Sequence, residues 1–313
     1  MATAWPVNRI GINLHDRLIS DPRQLSDLLH RLAQIGFDVV EPSPRALGVI
    51  RDADGDLDIK ALRRISKVLA RYDLTYTVHA PSALINITDP DDERSKNALR
   101  STIDFCEIVN AEILVLHTGR AKDPNSDCVK HQIIRVLSDF VYYASRRGIR
   151  IGLENGWNSD EPLIHLDDLA GLVARFNSPH LGITLDLGHA FLAANRLGFD
   201  LLAAVNRILP WVIHLHLGDH YGILDEDDPR FGDLGLPPGR GVLPYRQILN
   251  LNRIAGRYQG IYLLDIKPEW FSVLELRSAY QNLMEMLLHQ KRVNVVLARY
   301  LERWLTRPVR RGR

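Results

Sequence analysis

The chain has 313 residues, 46% of them hydrophobic and 25% charged, with a formal net charge of +1; this is an ordinary globular composition, and so balanced a charge leaves no electrostatic footprint for nucleic acid. Two isolated cysteines, Cys106 and Cys128, make neither a disulfide framework nor a thiolate zinc site. No apolar run reaches the roughly 18 residues that cross a bilayer, and the opening MATAWPVNR lacks the apolar core of a signal peptide, so no membrane association is expected and a reducing cytoplasm is the simplest setting.

Taken in order, short apolar runs alternate with longer amphipathic ones. RIGINL (9–14) reads as a strand and DPRQLSDLLHRLAQIGF (21–37) as a helix, with Leu25, Leu28, Leu29, Leu32 and Ile35 on one face and Gly36 as its stop. The next strands are FDVVEP (37–42), LTYTVHA (74–80), AEILVLHTG (111–119) and IRIGLENG (149–156), separated by helices over 58–72, 92–109 and 128–147. After a helix at 164–176 come LGITLDLGH (181–189), a helix at 199–209, WVIHLHLGD (211–219), a helix at 245–258, GIYLLDIKP (260–268) and a helix at 271–291. The strands are nearly continuous in Ile, Val and Leu, the mark of parallel strands covered on both faces. Eight alternations predict an α/β fold, a closed (β/α)8 TIM barrel over residues 1–292, whose typical size is about 250 residues. No GxGxxG follows the first strand, which argues against a dinucleotide-binding sheet. A further helix, VNVVLARYLERWLTR (293–307), opens an appended segment, 293–313, ending in a basic tail; Trp304 and Leu305 on it point to a homo-oligomer interface.

Active sites of such barrels lie at the carboxyl ends of the strands. Those ends carry Glu41, His79, His117, Glu154, Asp186, His216 and Asp265, with His189 three residues past Asp186 and Asp219 and His220 just past His216. Oxygen and imidazole groups of this kind suit a divalent cation such as zinc, manganese, cobalt or magnesium, and carboxylates sharing a dry bowl repel one another unless a cation sits among them. A lone Asp at a strand end is often a helix N-cap. Caps alone, however, would not avoid Ser, Thr and Asn at every one of these positions. His214 and His216 share a strand face; His216 is nearer the strand end and is favoured as the ligand, with His214 as a core histidine. Glu41 is the weakest candidate, since EPSP reads equally well as a turn with a solvated carboxylate. The long segment from Asp219 to Leu243 reads as a lid holding DEDD (225–228) and GLPPGRG (235–241). Within it Arg240 either reaches an anionic substrate group or pairs with DEDD. Lys267 shares the strand face of Asp265 and either neutralises an anionic group or is a solvated turn lysine.

At these residues the chain resembles the xylose isomerase-like barrel superfamily, which includes sugar phosphate isomerases and epimerases and endonuclease IV. The resemblance runs from about residue 8 to about 285 through TVHAPSALIN (77–86), VLHTG (115–119), GLENG (152–156), LDLGHA (185–190), HLGDHYG (216–222) and DLGLPPGRG (233–241). It implies a divalent ion held by Glu154, Asp186, His216 and Asp265, with His189 facing the substrate or a further metal. In endonuclease IV-like members His79 and His117 would be extra zinc ligands, Glu154 would bridge two ions, and Asp233 would open a D-x-H zinc motif. That motif reads Asp233-Leu234-Gly235, without its imidazole, and Asp265 stands where Glu is usual.

The resulting expectation is a metal-dependent isomerase or epimerase of a sugar, sugar phosphate or polyol-ketone, in which the ion stabilises an enediolate while Glu154 and Asp265 act as base and acid. The alternatives are an endonuclease IV-like zinc phosphodiesterase, a dehydratase or lyase on the same bowl, and a non-catalytic binding protein or partner subunit.

Overall fold

The computed structural model describes residues 9–14, 18–224, 231–254 and 258–288. The strands are β1 (Arg9–Asn13), β2 (Val39–Glu41), β3 (Thr75–Tyr76), β4 (Val78–His79), β5 (Ile113–His117), β6 (Arg150–Glu154), β7 (Leu181–Asp186), β8 (Val212–Leu217) and β9 (Ile261–Leu264). All pair in parallel, in the order β3-β2-β1-β9-β8-β7-β6-β5-β4. The two ends of that order, β3 and β4, are consecutive pieces of one strand. Thr75, Thr77 and His79 donate their N–H groups to Asp38, Val40 and Pro42, whereas Tyr76 accepts from Glu112 and Ala80 donates to Val115. Odd residues thus bond one neighbour and even residues the other, as in the interior of any sheet. The nine segments are the eight predicted strands, and the barrel closes at residues 75–80.

The helices are α1 (Pro22–Ile35), α2 (Ile59–Leu69), α3 (Glu93–Val109), α4 (Asp127–Ser145), α5 (Leu166–Phe176), α6 (Leu187–Leu197), α7 (Leu201–Ile208) and α8 (Tyr245–Ile254), followed by a helix over 273–288. Side chains of Asp21, Asp58, Asp92, Ser126, Asp186 and Asp200 accept backbone N–H bonds at helix starts. These bonds satisfy donors that a helix leaves open. Gly36 ends α1 at φ 113°, a left-handed conformation that costs glycine nothing. The main core lies between the outer faces of the strands and the helices. A smaller one, Val39, Ile113, Ile261 and Leu263, plugs the barrel and forms the floor beneath the polar mouth.

Two elements differ from the sequence reading. The sixth strand stops at Asp186, three residues early, because Asp186 caps a helix, α6, that the sequence reading did not contain. The pairing of β7 with β8 also shifts register between Ile183 and Thr184. Such an irregularity re-aims side chains: Ile213 packs on the interior plug, while His214 and His216 both reach Glu41. No helix among the described residues is long and apolar enough to cross a membrane. The predicted helix at 293–307, with Trp304 and Leu305, and the DEDD run lie outside the described residues.

Candidate functional site

Parallel strands end on one side of the barrel, so side chains at their last inward positions converge. Glu154 ends β6, Asp186 ends β7, His216 is one residue from the end of β8, and Asp265 follows β9 directly. Each offers one ligand atom, and these atoms all lie within 4.8 Å of one another. His216 Nδ1 is 3.0 Å from Glu154 Oε1, 3.2 Å from Asp265 Oδ2 and 3.9 Å from Asp186 Oδ2. Ligands about 2.1 Å from a shared ion stand roughly 3.0–3.4 Å apart. Among the described residues, His216 Nδ1 and both Glu154 oxygens are buried without an aligned hydrogen-bond partner. Groups that are close yet not aimed at each other fit a common cation, so this donor set suits a divalent metal.

Each of these groups is held in place. Asp186 divides its carboxylate: Oδ1 accepts from His189 N at 2.6 Å as the α6 cap, while Oδ2 is the oxygen nearer His216. Asn155 clamps the Asp186 backbone, donating to its O at 3.0 Å and accepting from its N at 2.9 Å. Asn13, from β1, donates to Asp265 Oδ1 at 2.6 Å and accepts from Ile266 N at 3.2 Å. Burial pushes the Asp186 carboxyl up to about 7, and the charges of Asp265 and Glu154 add to this against the pull of His189. Burial acts the same way on Glu154, but the imidazoles of His117 and His216 outweigh it and hold that carboxyl well below the usual range.

A second group shares Glu154. His79 Nε2 and His117 Nε2 lie 3.3 and 2.9 Å from Glu154 Oε2. His79 donates from Nδ1 to its neighbour's carbonyl, Ala80 O, at 2.8 Å, which turns Nε2 toward the bowl. Beyond them His189 donates from Nδ1 to Asn155 O at 3.1 Å and places Nε2 4.0 Å from Asp233 Oδ1.

Glu41 requires a correction. It is not a solvated turn carboxylate but is 0% exposed, beneath His216. Its Oε2 accepts from Thr77 Oγ1 at 2.6 Å and His214 Nε2 at 2.9 Å, and its Oε1 lies 3.0 Å from His216 Nε2. Burial raises its carboxyl, but His216 and His214 together take it well below the usual range. It lies outside the cavity lining. Arg240 is corrected as well: its guanidinium pairs with Glu275 and stacks 4.6 Å over the Trp270 ring, apart from the cavity lining. Lys267 is no solvated turn residue; it lines the cavity and lies 3.0 Å from Asp233.

The bowl opens into a cavity of about 530 Å³, where Trp157, Asn158, Asn86 and Ser82 join His79, His117, His189, Asp233, Asp265 and Lys267. The lid is tied down by Asp219, which is 0% exposed and accepts backbone bonds from His220, Gly239, Gly241 and Leu243. The reading from strand ends missed Asn13, Asn155 and Trp157. Asn13 closes β1 and could have been found by the same rule had it covered amides; Asn155 and Trp157 have no signal beyond adjacency to Glu154.

Eight parallel strands ringed by helices, with acidic and imidazole groups gathered at their carboxyl ends, define a barrel with a polar, ligand-rich mouth. The family model described as xylose isomerase-like TIM barrel matches residues 29–289, and the chain belongs to that family. Uncharacterized protein MJ1311 of Methanocaldococcus jannaschii is 27% identical over 257 residues, covering 80% of this chain and 82% of the relative. A D-tagatose 3-epimerase-like protein superposes with a TM-score of 0.68 at 23% identity, over 91% of this chain and 98% of that one. An L-ribulose 3-epimerase does so with a TM-score of 0.70 at 16% identity, over 98% and 100%. At these identities the solved structures speak for the fold.

Proposed function

We infer that the chain is a divalent-metal-dependent isomerase or epimerase of a sugar or polyol-ketone. The convergence of Glu154, Asp186, His216 and Asp265, of which Glu154 and Asp265 line the cavity, carries the reading, and the sugar epimerases among its structural neighbours support it. When bound, the ion would polarise a carbonyl and adjacent hydroxyl, easing loss of the neighbouring carbon's proton to an enediolate. Glu154 and Asp265, which both approach His216 Nδ1 and both line the cavity, serve as base and acid for that carbon. His189, oriented by Asn155, donates to a substrate oxygen. The two free cysteines fit a cytoplasmic enzyme.

The experiment is metal analysis of protein purified without chelator, followed by exposure of metal-loaded enzyme to ketoses and inososes in deuterated water. Incorporation of deuterium beside the carbonyl is expected; its absence with every compound overturns the reading. A second reading, a two-ion phosphodiesterase, has one observation in its favour: His79 and His117 approach the Glu154 oxygen that faces away from His216. Two tightly bound zinc ions per chain together with cleavage of a phosphodiester would establish it in place of the first.

A further inference from the structure

At the end of β9 the cavity wall carries a charged feature outside the ligand set. Lys267 stands two residues after Asp265 in extended backbone, with φ −69° and ψ 154°, and alternate residues of an extended chain face the same way. Both line the cavity. The ammonium lies 3.0 Å from Asp233 Oδ2, and the lysine side chain is 29% exposed. Asp233 is in turn flanked by His189 Nε2 at 4.0 Å and His220 Nε2 at 3.7 Å.

The lid is built around this lysine. Lys267 N donates to Gly235 O at 3.0 Å. Gly235 has φ +50°, and a Cβ there would fall 2.8 Å from Lys267 Cγ and 3.1 Å from Lys267 N. A side chain at position 235 would therefore displace the lysine stem, and the position that lacks an imidazole is the one the stem fills. Arg120, the other lysine or arginine among the described lining residues, has a side chain 66% exposed and pairs with Asp160 at 3.4 Å. A partly buried ion pair adds little net stability. One set into the wall of a substrate cavity, with a glycine shaped to admit it, points to a ligand.

We propose that Lys267 determines specificity by receiving an anionic oxygen group of the substrate, a carboxylate or a phosphate ester, so that the bowl takes an acidic sugar or polyol derivative. The proposal rests on the isomerase reading of the bowl. Asp233 holds the ammonium at a fixed place on the wall, and an ammonium carries three donor hydrogens for that carboxylate and a ligand to share. Removing a charge-assisted contact of this kind lowers affinity by about tenfold or more.

The test uses metal-loaded wild type, K267M and K267R with matched substrates: D-ribulose against D-ribulose 5-phosphate, and D-tagatose against D-tagaturonate. The readout is kcat/KM for solvent deuterium incorporation. Wild type is expected to prefer an acidic member by about tenfold or more, K267M to lose that preference and K267R to regain it; the two pairs tell phosphate from carboxylate. Preference for the neutral ketoses, or a preference that survives in K267M, overturns the proposal while leaving the isomerase reading intact. If no ketose exchanges, the isomerase reading falls and the lysine is judged by calorimetry with inorganic phosphate and malonate: binding about tenfold weaker in K267M supports it, and equal binding refutes it. Should K267M fold poorly because Asp233 loses its counter-ion, D233N/K267M removes both charges together and is read in the same way.

Discussion

His216 stands between two carboxylates, with Glu41 Oε1 3.0 Å from Nε2 and Glu154 Oε1 3.0 Å from Nδ1. A carboxylate behind an imidazole fixes its tautomer and orientation, and its loss typically lowers metal affinity about 10- to 100-fold. Glu41→Gln is expected to weaken metal binding by that factor in a competitive titration. Glu41→Ala, which takes a counter-charge from the buried His216 imidazolium and leaves His214 Nε2 and Thr77 Oγ1 without their acceptor, is expected to cost about 3–5 kcal/mol in a denaturant melt. Asp186 supplies a pH dependence. Its carboxyl sits at about 7, against an ordinary 3.8, and a ligand must be deprotonated. Below about pH 7 a metal that binds displaces the Asp186 proton and a second one from His216, which, against the opposing effect of burial, Glu41 and Glu154 hold protonated well above the usual imidazole range, so affinity falls by more than about tenfold per pH unit, a slope that titrations at several pH values would show. In the metal-free protein the folded carboxyl keeps its proton up to about 7 while the unfolded one loses it near 3.8. Stability therefore falls as pH rises through that interval, and metal-free melting temperatures are expected to drop from pH 5 to pH 7 where the metal-bound form does not follow.

The junction of β7 and α6 shows how an element can carry chemistry and architecture in the same side chain. Asp186 Oδ1 caps α6 and Oδ2 faces the bowl; Asp186→Asn keeps a carbonyl oxygen for the cap but puts a neutral amide in the ligand set. It is expected to lose metal binding with little change in metal-free stability. Asp186→Ala should lose metal binding and about 1 kcal/mol more from the missing cap, a difference that parallel denaturant melts would resolve. This double use also explains what the sequence could and could not disclose. Apolar runs such as ILVLH and RIGLE bury on both faces, so the strands and the polar residues ending them were legible by position alone. Helix α6 was not legible, because its first turn, LGH, continues an apolar run and its cap looks like the last residue of a strand. Glu41 was misread because a carboxylate before Pro42 looks like a turn; only the pairing of β1 with β2, which sets Glu41 beside Asn13, brings it under His214 and His216. A register irregularity such as that between β7 and β8 leaves no mark on hydrophobic periodicity.

At the scale of the whole molecule, the candidate ligands come from consecutive strands around one side of the barrel. β4 and β5 supply His79 and His117, β6 supplies Glu154, and β7, β8 and the end of β9 supply Asp186, His216 and Asp265. A cation among them would tie together segments separated by more than a hundred residues, from Glu154 to Asp265. An unfolded chain has no such preformed site, so metal binding adds directly to folding stability. At a free metal concentration of about 100 times Kd the gain is about 2.7 kcal/mol. Chelator is accordingly expected to lower the melting temperature, and titrating the metal back to restore it with a stoichiometry that calorimetry can count. Since Glu154 turns Oε1 to one group of side chains and Oε2 to the other, the double variant His79→Ala/His117→Ala decides how many ions the barrel holds. With a single ion on the Asp186–His216–Asp265 side, stoichiometry and thermal gain should survive this change; with a second ion, one equivalent and part of the gain should disappear. The first outcome leaves the two imidazoles to meet substrate oxygens, and the second makes Glu154 a bridge between metals and shifts the chemistry toward hydrolysis.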